Sequence, residues 1–156
     1  MTNQLSQAPA LIRISNPLAN ALLRGGMPMG PNTLVTIRGR TSGLPRSMPL
    51  AVMEADGRRW IIGAYGDVNW TRNLRAAGEA DIHVSGETLH VTATELPREA
   101  AERFFSETLP AYIRRFPAAG RLFARVFFRL VAPDITRDPV GAASRHPVFE
   151  LRTTEA

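Results

Sequence analysis

The sequence predicts an α+β protein, mainly β, built on an antiparallel sheet or barrel with flanking helices. Three observations predict it. Short stretches rich in β-branched residues alternate apolar and polar side chains, the period of a half-buried strand. Tight turns carrying Gly or Asp-Gly join most of these stretches, which favours antiparallel pairing over strand–helix–strand crossovers. The helical patterns stand before, within and after the run of strands rather than between every pair.

The elements follow in order. Residues 1–14 read as a lead-in. Asn16 and Pro17 are an N-cap and a first-turn proline, Leu18, Leu22 and Leu23 share a face, and Gly25-Gly26 stops the run, so 16–24 is a short amphipathic helix. Residues 27–31 form a proline-punctuated connector. Residues 33–38 alternate as a strand, 39–45 turn, 47–54 form a second strand, Asp56-Gly57 marks a hairpin, and 59–64 form a third strand. A helix is expected over 69–77, with Gly78 where a C-cap belongs. Strands 81–85 and 88–96 flank Gly86-Glu87. Pro97 opens a helix through about residue 109 and a second helical stretch covers 118–131. Residues 133–144 read as a loop and 146–152 as the last strand.

The chain has 156 residues, 44% hydrophobic and 21% charged, which fits one globular domain over 1–156. It contains no cysteine, so disulfides and thiolate metal sites are excluded. No apolar run reaches the ~20 residues of a membrane span, and the first residues are polar, so the expected location is cytoplasmic. The formal charge is +5, and all 19 cationic side chains are arginine. An arginine-favouring genome accounts for that bias, but anions must still be held by guanidinium forks. The arginines are spread from Arg13 to Arg152 rather than gathered on one element, so nucleic-acid binding is not expected.

Two stretches can carry chemistry. In 39–46, Gly39 and Gly43 permit a tight turn and close approach to a ligand, Thr41 and Ser42 offer hydroxyls, and Arg40 and Arg46 offer forks. Successive N–H groups there can form an anion nest. On composition alone a plain polar turn is the more economical reading. A Walker loop is excluded because the lysine and the strand-to-helix context are missing. In 70–76, Trp70, Asn73 and Leu74 share a helical face, suited to stacking on a planar ring and bonding its edge. Taken alone, a core Trp with Asn73 capping a neighbouring segment is the simpler reading.

In combination, Gly39-Arg40-Thr41-Ser42-Gly43, Arg46, Pro49-Leu50, Trp70, Asn73-Leu74 and Ala76, with 16–23 as an N-terminal helix, resemble the deazaflavin-dependent nitroreductase and quinone reductase family. The resemblance covers about 16–105 plus 146–151. It implies a split β-barrel of about six mostly antiparallel strands, of the type that also binds FMN, and coenzyme F-420 as cofactor. It implies that Arg40, Thr41, Ser42, Gly43 and Arg46 hold the coenzyme phosphate and the start of its glutamyl tail. Met48 and Pro49 would lie under the deazaflavin ring, Ala64, Tyr65 and Gly66 would line its polar edge, and Trp70, Asn73 and Leu74 would complete the pocket. The chain departs from the family pattern at 65–69, which is shorter than usual, and at 117–145, a helical and loop insertion.

All seven phenylalanines lie between Phe104 and Phe149. In 120–131 an apolar stripe (Leu122, Phe123, Val126, Phe127, Leu130) runs beside Arg121, Arg125 and Arg129. That pattern fits a peripheral membrane contact, though a core- or dimer-facing helix with a solvated arginine edge is favoured. His83, His90 and His146 lack a carboxylate cluster at metal-ligand spacing, so no metal is expected. No Gly-x-Ser-x-Gly elbow is present, and Asp134 and Asp138 read as solvated loop residues. The expected activity is hydride transfer from the reduced deazaflavin to a hydrophobic quinone, enone or nitro compound, with water, Tyr65 or Tyr112 as proton source. An FMN oxidoreductase and a non-catalytic cofactor or lipid carrier are the alternatives. A homodimer is an expectation from the resemblance alone.

Overall fold

The computed structural model describes residues 32–84 and 86–154. The helix expected over 16–24, the lead-in, the connector and Ser85 lie outside the described residues. Six strands form a closed antiparallel barrel in the order β1-β2-β3-β6-β5-β4: β1 (Asn32–Arg38), β2 (Pro45–Ala55), β3 (Arg58–Ile62), β4 (Glu79–Val84), β5 (Glu87–Glu95) and β6 (Val148–Thr153). Helix α1 (Asn69–Ala77) stands between β3 and β4. After β5 come α2 (Arg98–Arg103), a π-helical turn (Phe104–Thr108), α3 (Leu109–Arg114), α4 (Ala118–Val131), α5 (Pro133–Arg137) and α6 (Pro139–Arg145).

Strand alternation sorts the side chains into two apolar layers. Val35, Ile37, Ile61, Ile82, Val91, Phe149 and Leu151 fill the barrel with Trp70 and Leu74 of α1. The opposite faces of β2, β3 and β6 present Met53, Ala55, Trp60 and Val148 to the helices, where Phe104, Phe105, Leu109, Phe128 and Ile135 meet them. The π turn lets two successive residues point inward. Phe104 packs on Trp60 at 5.7 Å, and Phe105 packs edge-on to both Phe104 and His146.

Several expected boundaries move. β2 runs from Pro45 to Ala55, because pairing with all of β1 carries the ladder to the mouth of the turn. β3 stops at Ile62 instead of residue 64, since the next residue, Gly63, stands opposite Pro147, which accepts its N–H but has no N–H to return. The helix opened by Pro97 continues through the π turn to Arg114. Residues 133–144 are not a loop: Pro133 and Pro139 each sit in the first turn of a short helix, and the Asp138 side chain caps the second by accepting from Gly141 N.

Phe105 is 1% exposed and joins the helical layer to His146. Phe105→Ala should lower stability by about 3–5 kcal/mol, read as a reduced denaturation midpoint; a loss under ~1 kcal/mol would show that the layer repacks around the gap.

Candidate functional site

The turn between β1 and β2 is held from inside. Gly39 N donates to the Leu44 carbonyl at 2.9 Å, Gly43 N donates to the Gly39 carbonyl at 2.9 Å, and Leu44 N donates to Ser42 Oγ at 3.2 Å. A Cβ on Gly39 would sit 2.7 Å from Ser42 Oγ, so a side chain here would turn that hydroxyl out of its bond with Leu44 N. The anion nest is therefore smaller than the sequence suggests, for the Gly39, Gly43 and Leu44 N–H groups are spent within the turn. Arg40 N is spent as well, donating to Asn73 Oδ1 at 3.2 Å. Among the described residues, the N–H groups of Thr41 and Ser42 and the Thr41 hydroxyl keep no intramolecular partner.

The Arg40 guanidinium is half committed: Nη1 donates to Asn73 Oδ1 at 2.7 Å and to the Asn69 carbonyl at 3.4 Å. Asn73, 6% exposed, thus acts on the turn, and Trp70 beside it is a barrel-core residue packed against Phe149 at 6.4 Å. Leu74 is fully buried. The simpler alternative for this helical face is the one the structure adopts. Trp70 and Leu74 are buried in the barrel wall, and Asn73 braces the neighbouring loop.

Register decides three more residues. Ile37 pairs with Arg46 and Val35 with Met48, so Arg46 follows the inward-facing row to the barrel mouth, while Arg38 lies on the opposite face. Met48 packs on the barrel interior. Pro49 pairs with Leu34 on the outer face. Successive strand residues point to opposite sides, so Met48 and Pro49 cannot both floor one ring.

Ala64, Tyr65 and Gly66 line a cleft of about 490 Å³ together with Val131, Asp134, Arg145 and His146. The cleft and the turn are neighbours: Gly66 accepts from Val68 N, and the next residue, Asn69, accepts from Arg40. Sequence reasoning misses the Asp134–His146 pair, because two acids in an apparent loop look solvated. His146 is 7% exposed; its Nδ1 donates to the Gly63 carbonyl at 3.2 Å and its Nε2 lies 2.7 Å from Asp134 Oδ2. Arg145 Nε donates to the same oxygen at 2.8 Å, and Arg145 Nη2 reaches Asp138 Oδ2 at 3.2 Å. The available signal is Asp138-Pro139, a helix-start pair that turns 133–145 into two helices and brings Asp134 back to His146.

Burial alone would raise the Asp134 carboxyl, but hydrogen bonds from Arg145 and His146 outweigh it and hold the group below its ordinary value. Burial pushes the Tyr65 phenol up to about 12, which keeps it protonated at neutral pH. Tyr112 is not near the cleft. It packs on Phe116 in the helical layer, and its raised phenol owes first to burial and then to Glu54, next to the β2–β3 hairpin, at the other end of β2 from the turn. His83 bonds Thr88, and His90 is held between Asp81 and Glu79 on the exposed face of β4–β5. Among the described residues no group of three or more His, Asp or Glu converges as a metal site.

With this geometry in place, comparison with known families is decisive. The model of the F420H(2)-dependent quinone reductase family matches residues 19–117, more than half of the chain. The chain belongs to that family. It is an oxidoreductase dependent on coenzyme F-420. No functionally curated protein matches it by sequence. Among solved structures, a protein determined as a domain-swapped dimer is similar over 87% of this chain and 95% of its own, with TM-score 0.53 and 19% identity. A candidate pyridoxamine 5′-phosphate oxidase of Listeria innocua is similar over 89% and 93%, with TM-score 0.50 and 9% identity. A candidate 5-nitroimidazole antibiotic resistance protein of Bacteroides thetaiotaomicron is similar over 86% and 80%, with TM-score 0.50 and 9% identity. These likenesses establish the barrel fold. The family match ends at Phe116-Pro117, so Val131, Asp134, Arg145 and His146 belong to the segment beyond it.

The donors that remain on the turn fit an anionic group of the coenzyme. Two adjacent N–H groups, the Thr41 hydroxyl and the uncommitted side of the Arg40 fork stand on one internally bonded turn, a donor set whose chemistry suits a phosphate.

The Asp134 carboxyl titrates lower in the folded protein than in the unfolded chain. Its contribution to stability is therefore present above roughly pH 4 and is lost as pH falls through the lower folded value. Asp134→Asn should be less stable than wild type at pH 7 and should lose less on acidification from about pH 5 to 3. Parallel pH–stability curves would show that the Arg145 and His146 contacts do not bias the titration.

Proposed function

We propose that the protein reduces a hydrophobic acceptor of the quinone class with reduced coenzyme F-420, holding the coenzyme phosphate on the turn 39–46 and the acceptor in the cleft of Ala64–Gly66. The observation that carries this reading is the pair of hydrogen bonds from Arg40, through its backbone N–H and its Nη1, to Asn73 Oδ1, because they fix the turn against α1 and so beside the cleft. When bound, the reduced deazaflavin supplies a hydride, and the acceptor needs one proton on oxygen to complete a two-electron reduction.

The chain's own groups orient and protonate. Thr41, Ser42 and Arg40 hold the anion, and Arg46 extends the basic surface at the barrel mouth. Asn73 is a positioning residue. Its neutral amide orients Arg40 without cancelling the positive charge, which an aspartate would do. Pro49, on the outer face of the barrel, is the β2 residue available to a ring there. Tyr65 offers its phenol O–H to the acceptor oxygen, kept protonated by burial, and proton replenishment comes from water at the open side of the cleft. The neighbour solved as a domain-swapped dimer supports a homodimer for this chain as well.

The test is titration of the coenzyme by tryptophan fluorescence, with menadione-dependent oxidation of the reduced form as the activity. Each charge-assisted bond is worth about 1.5–3 kcal/mol, so Arg40→Ala with Arg46→Ala should weaken coenzyme binding by more than about tenfold. Asn73→Asp should weaken it more than Asn73→Ala. Wild-type affinity in the double variant would overturn the placement of the phosphate on this turn. Absence of menadione turnover by the wild type would overturn the acceptor class.

Tyr65→Phe should lower turnover with menadione by about 10²-fold, the lower end of general acid catalysis, while leaving coenzyme affinity within twofold. An unchanged rate would assign the proton to water.

A further inference from the structure

Helix α4 carries a surface that the fold leaves unused. Ala124 and Phe128 are its buried residues, with Phe127 and Val131 half-buried. Leu122, Phe123, Val126 and Leu130 are 62, 65, 47 and 69% exposed. At 3.6 residues per turn Leu122, Val126 and Leu130 form one ridge with Phe123 beside it, and Arg121, Arg125 and Arg129 form the adjoining ridge. The stretch Ala118–Val131 contains no acidic residue. Among the described residues, Arg114, Arg121, Arg125 and Arg129 have no carboxylate partner, whereas Arg72, Arg75, Arg115 and Arg145 each have one. Arg114, Arg121 and Arg125 line a shallow cleft of about 420 Å³ with Ala118 and Leu122.

We propose that this face of α4 docks on an anionic membrane surface, with Leu122, Phe123, Val126 and Leu130 entering the acyl boundary and Arg114, Arg121, Arg125 and Arg129 pairing with lipid phosphates. Charge decides between the candidate occupants. A second copy would present the same acid-free, arginine-edged face, and a two-fold contact of α4 on α4 would bring like charges together. A lipid headgroup layer supplies the missing anions at the depth the arginine stems reach, while the ridge beside them enters the apolar phase. The helix is 14 residues long, about 21 Å, so it lies on the surface, and no described helix is long and apolar enough to cross. Docking has a consequence for the proposed reaction, and this part rests on that reading. Val131, at the end of α4, lines the cleft of Tyr65 and His146, so the cleft opens beside the lipid in which an apolar quinone is dissolved.

The test is co-sedimentation of the full chain, without coenzyme, with vesicles of phosphatidylcholine alone or mixed with phosphatidylglycerol. Binding to the mixed vesicles is expected to exceed binding to the neutral ones by at least tenfold. Phe123→Ser with Leu130→Ser should abolish it, and Arg121→Gln with Arg125→Gln and Arg129→Gln should remove the preference for the anionic lipid. These side chains are exposed, and an unchanged thermal midpoint verifies that each variant is folded. Failure of the wild type to sediment with the anionic vesicles would overturn the proposal. So would sedimentation that the variants leave unaltered, or a dimer that the serine variant converts to monomer, which would assign the face to a second copy. Because the assay contains neither coenzyme nor acceptor, its failure leaves the reductase reading standing, and loss of menadione turnover leaves the docking result standing.

Discussion

The arrangement turns on one backbone position, Gly63. Its N–H donates to the Pro147 carbonyl at 2.7 Å, and its carbonyl accepts from His146 Nδ1. A Cβ there would lie 3.0 Å from both Pro147 Cδ and Thr71 Cγ2 and 3.2 Å from the Gly66 carbonyl oxygen. A side chain there would crowd the point where the end of β3, the entry to β6 and the first turn of α1 meet. That meeting sets the place of each neighbour. β6 closes the barrel against β3 and β5, α1 starts beside the turn that Arg40 belongs to, and α6 delivers His146 to the edge of the cleft. The cleft wall formed by Ala64, Tyr65 and Gly66 is therefore a short turn clamped at its base, which is the rigidity a reacting site needs.

Helix α1 transmits that rigidity to the turn 39–46. Arg75 forms a two-pronged pair with Glu95 of β5 at 2.5 and 3.0 Å, and Asp67 gathers Thr71, Arg72 and Arg75 at the other end of the helix. These groups are largely solvated, so each pair alone adds little to stability. As a network they fix the helix axially, and Asn73 occupies a defined position between Trp70 and Leu74, which are locked in the barrel. One neutral amide oxygen then orders a cationic loop. Burial holds Asn73 in place, its charge neutrality leaves Arg40 attractive to an anion, and the turn's internal bonds decide which N–H groups remain for a ligand.

The elements whose signals are local were legible in the sequence. The period-two strands, the Asp56-Gly57 hairpin, α1 ending at Gly78 and α4 over 118–131 all follow from nearest-neighbour chemistry, and the structure contains each of them. What the sequence hid depends on pairing at a distance. β2 extends to Pro45 because β1 offers partners along its whole length, and Ile62 ends β3 because the residue opposite Gly63 is Pro147, which has no N–H to return the bond. Pro133 and Pro139 look like breakers although proline is equally at home in a first helical turn, and that ambiguity conceals the contact of Asp134 with His146, twelve residues on. At the candidate site the glycines and arginines of 39–46 were visible as a donor-rich turn, which alone reads as a plain polar turn. The share of their donors consumed by the fold was not, because Asn73 lies thirty-three positions from Arg40. The opposite facing of Met48 and Pro49 was within reach of strand parity alone.

Charge is distributed in a way that separates the two sides of the molecule. In the cleft Arg145 is bound by Asp134 and Asp138, Asp134 also meets His146 and Asp138 also accepts from Gly141 N, so these charges are paired. On the outer side of the same segment, Arg121, Arg125 and Arg129 of α4 have no carboxylate partner among the described residues, and Leu122 and Leu130 are exposed. Helices α4–α6 and strand β6 lie beyond Pro117, where the family match ends, while β1–β5, the turn 39–46 and α1 lie within it. The segment after Pro117 thus adds, in α4–α6, a paired arginine beside the cleft and a basic outer face to the turn and α1 of the matched part. Acceptor choice and surface attachment can vary through α4–α6 without altering the contacts of Arg40, Asn73 and Gly39 on which coenzyme binding is proposed to rest.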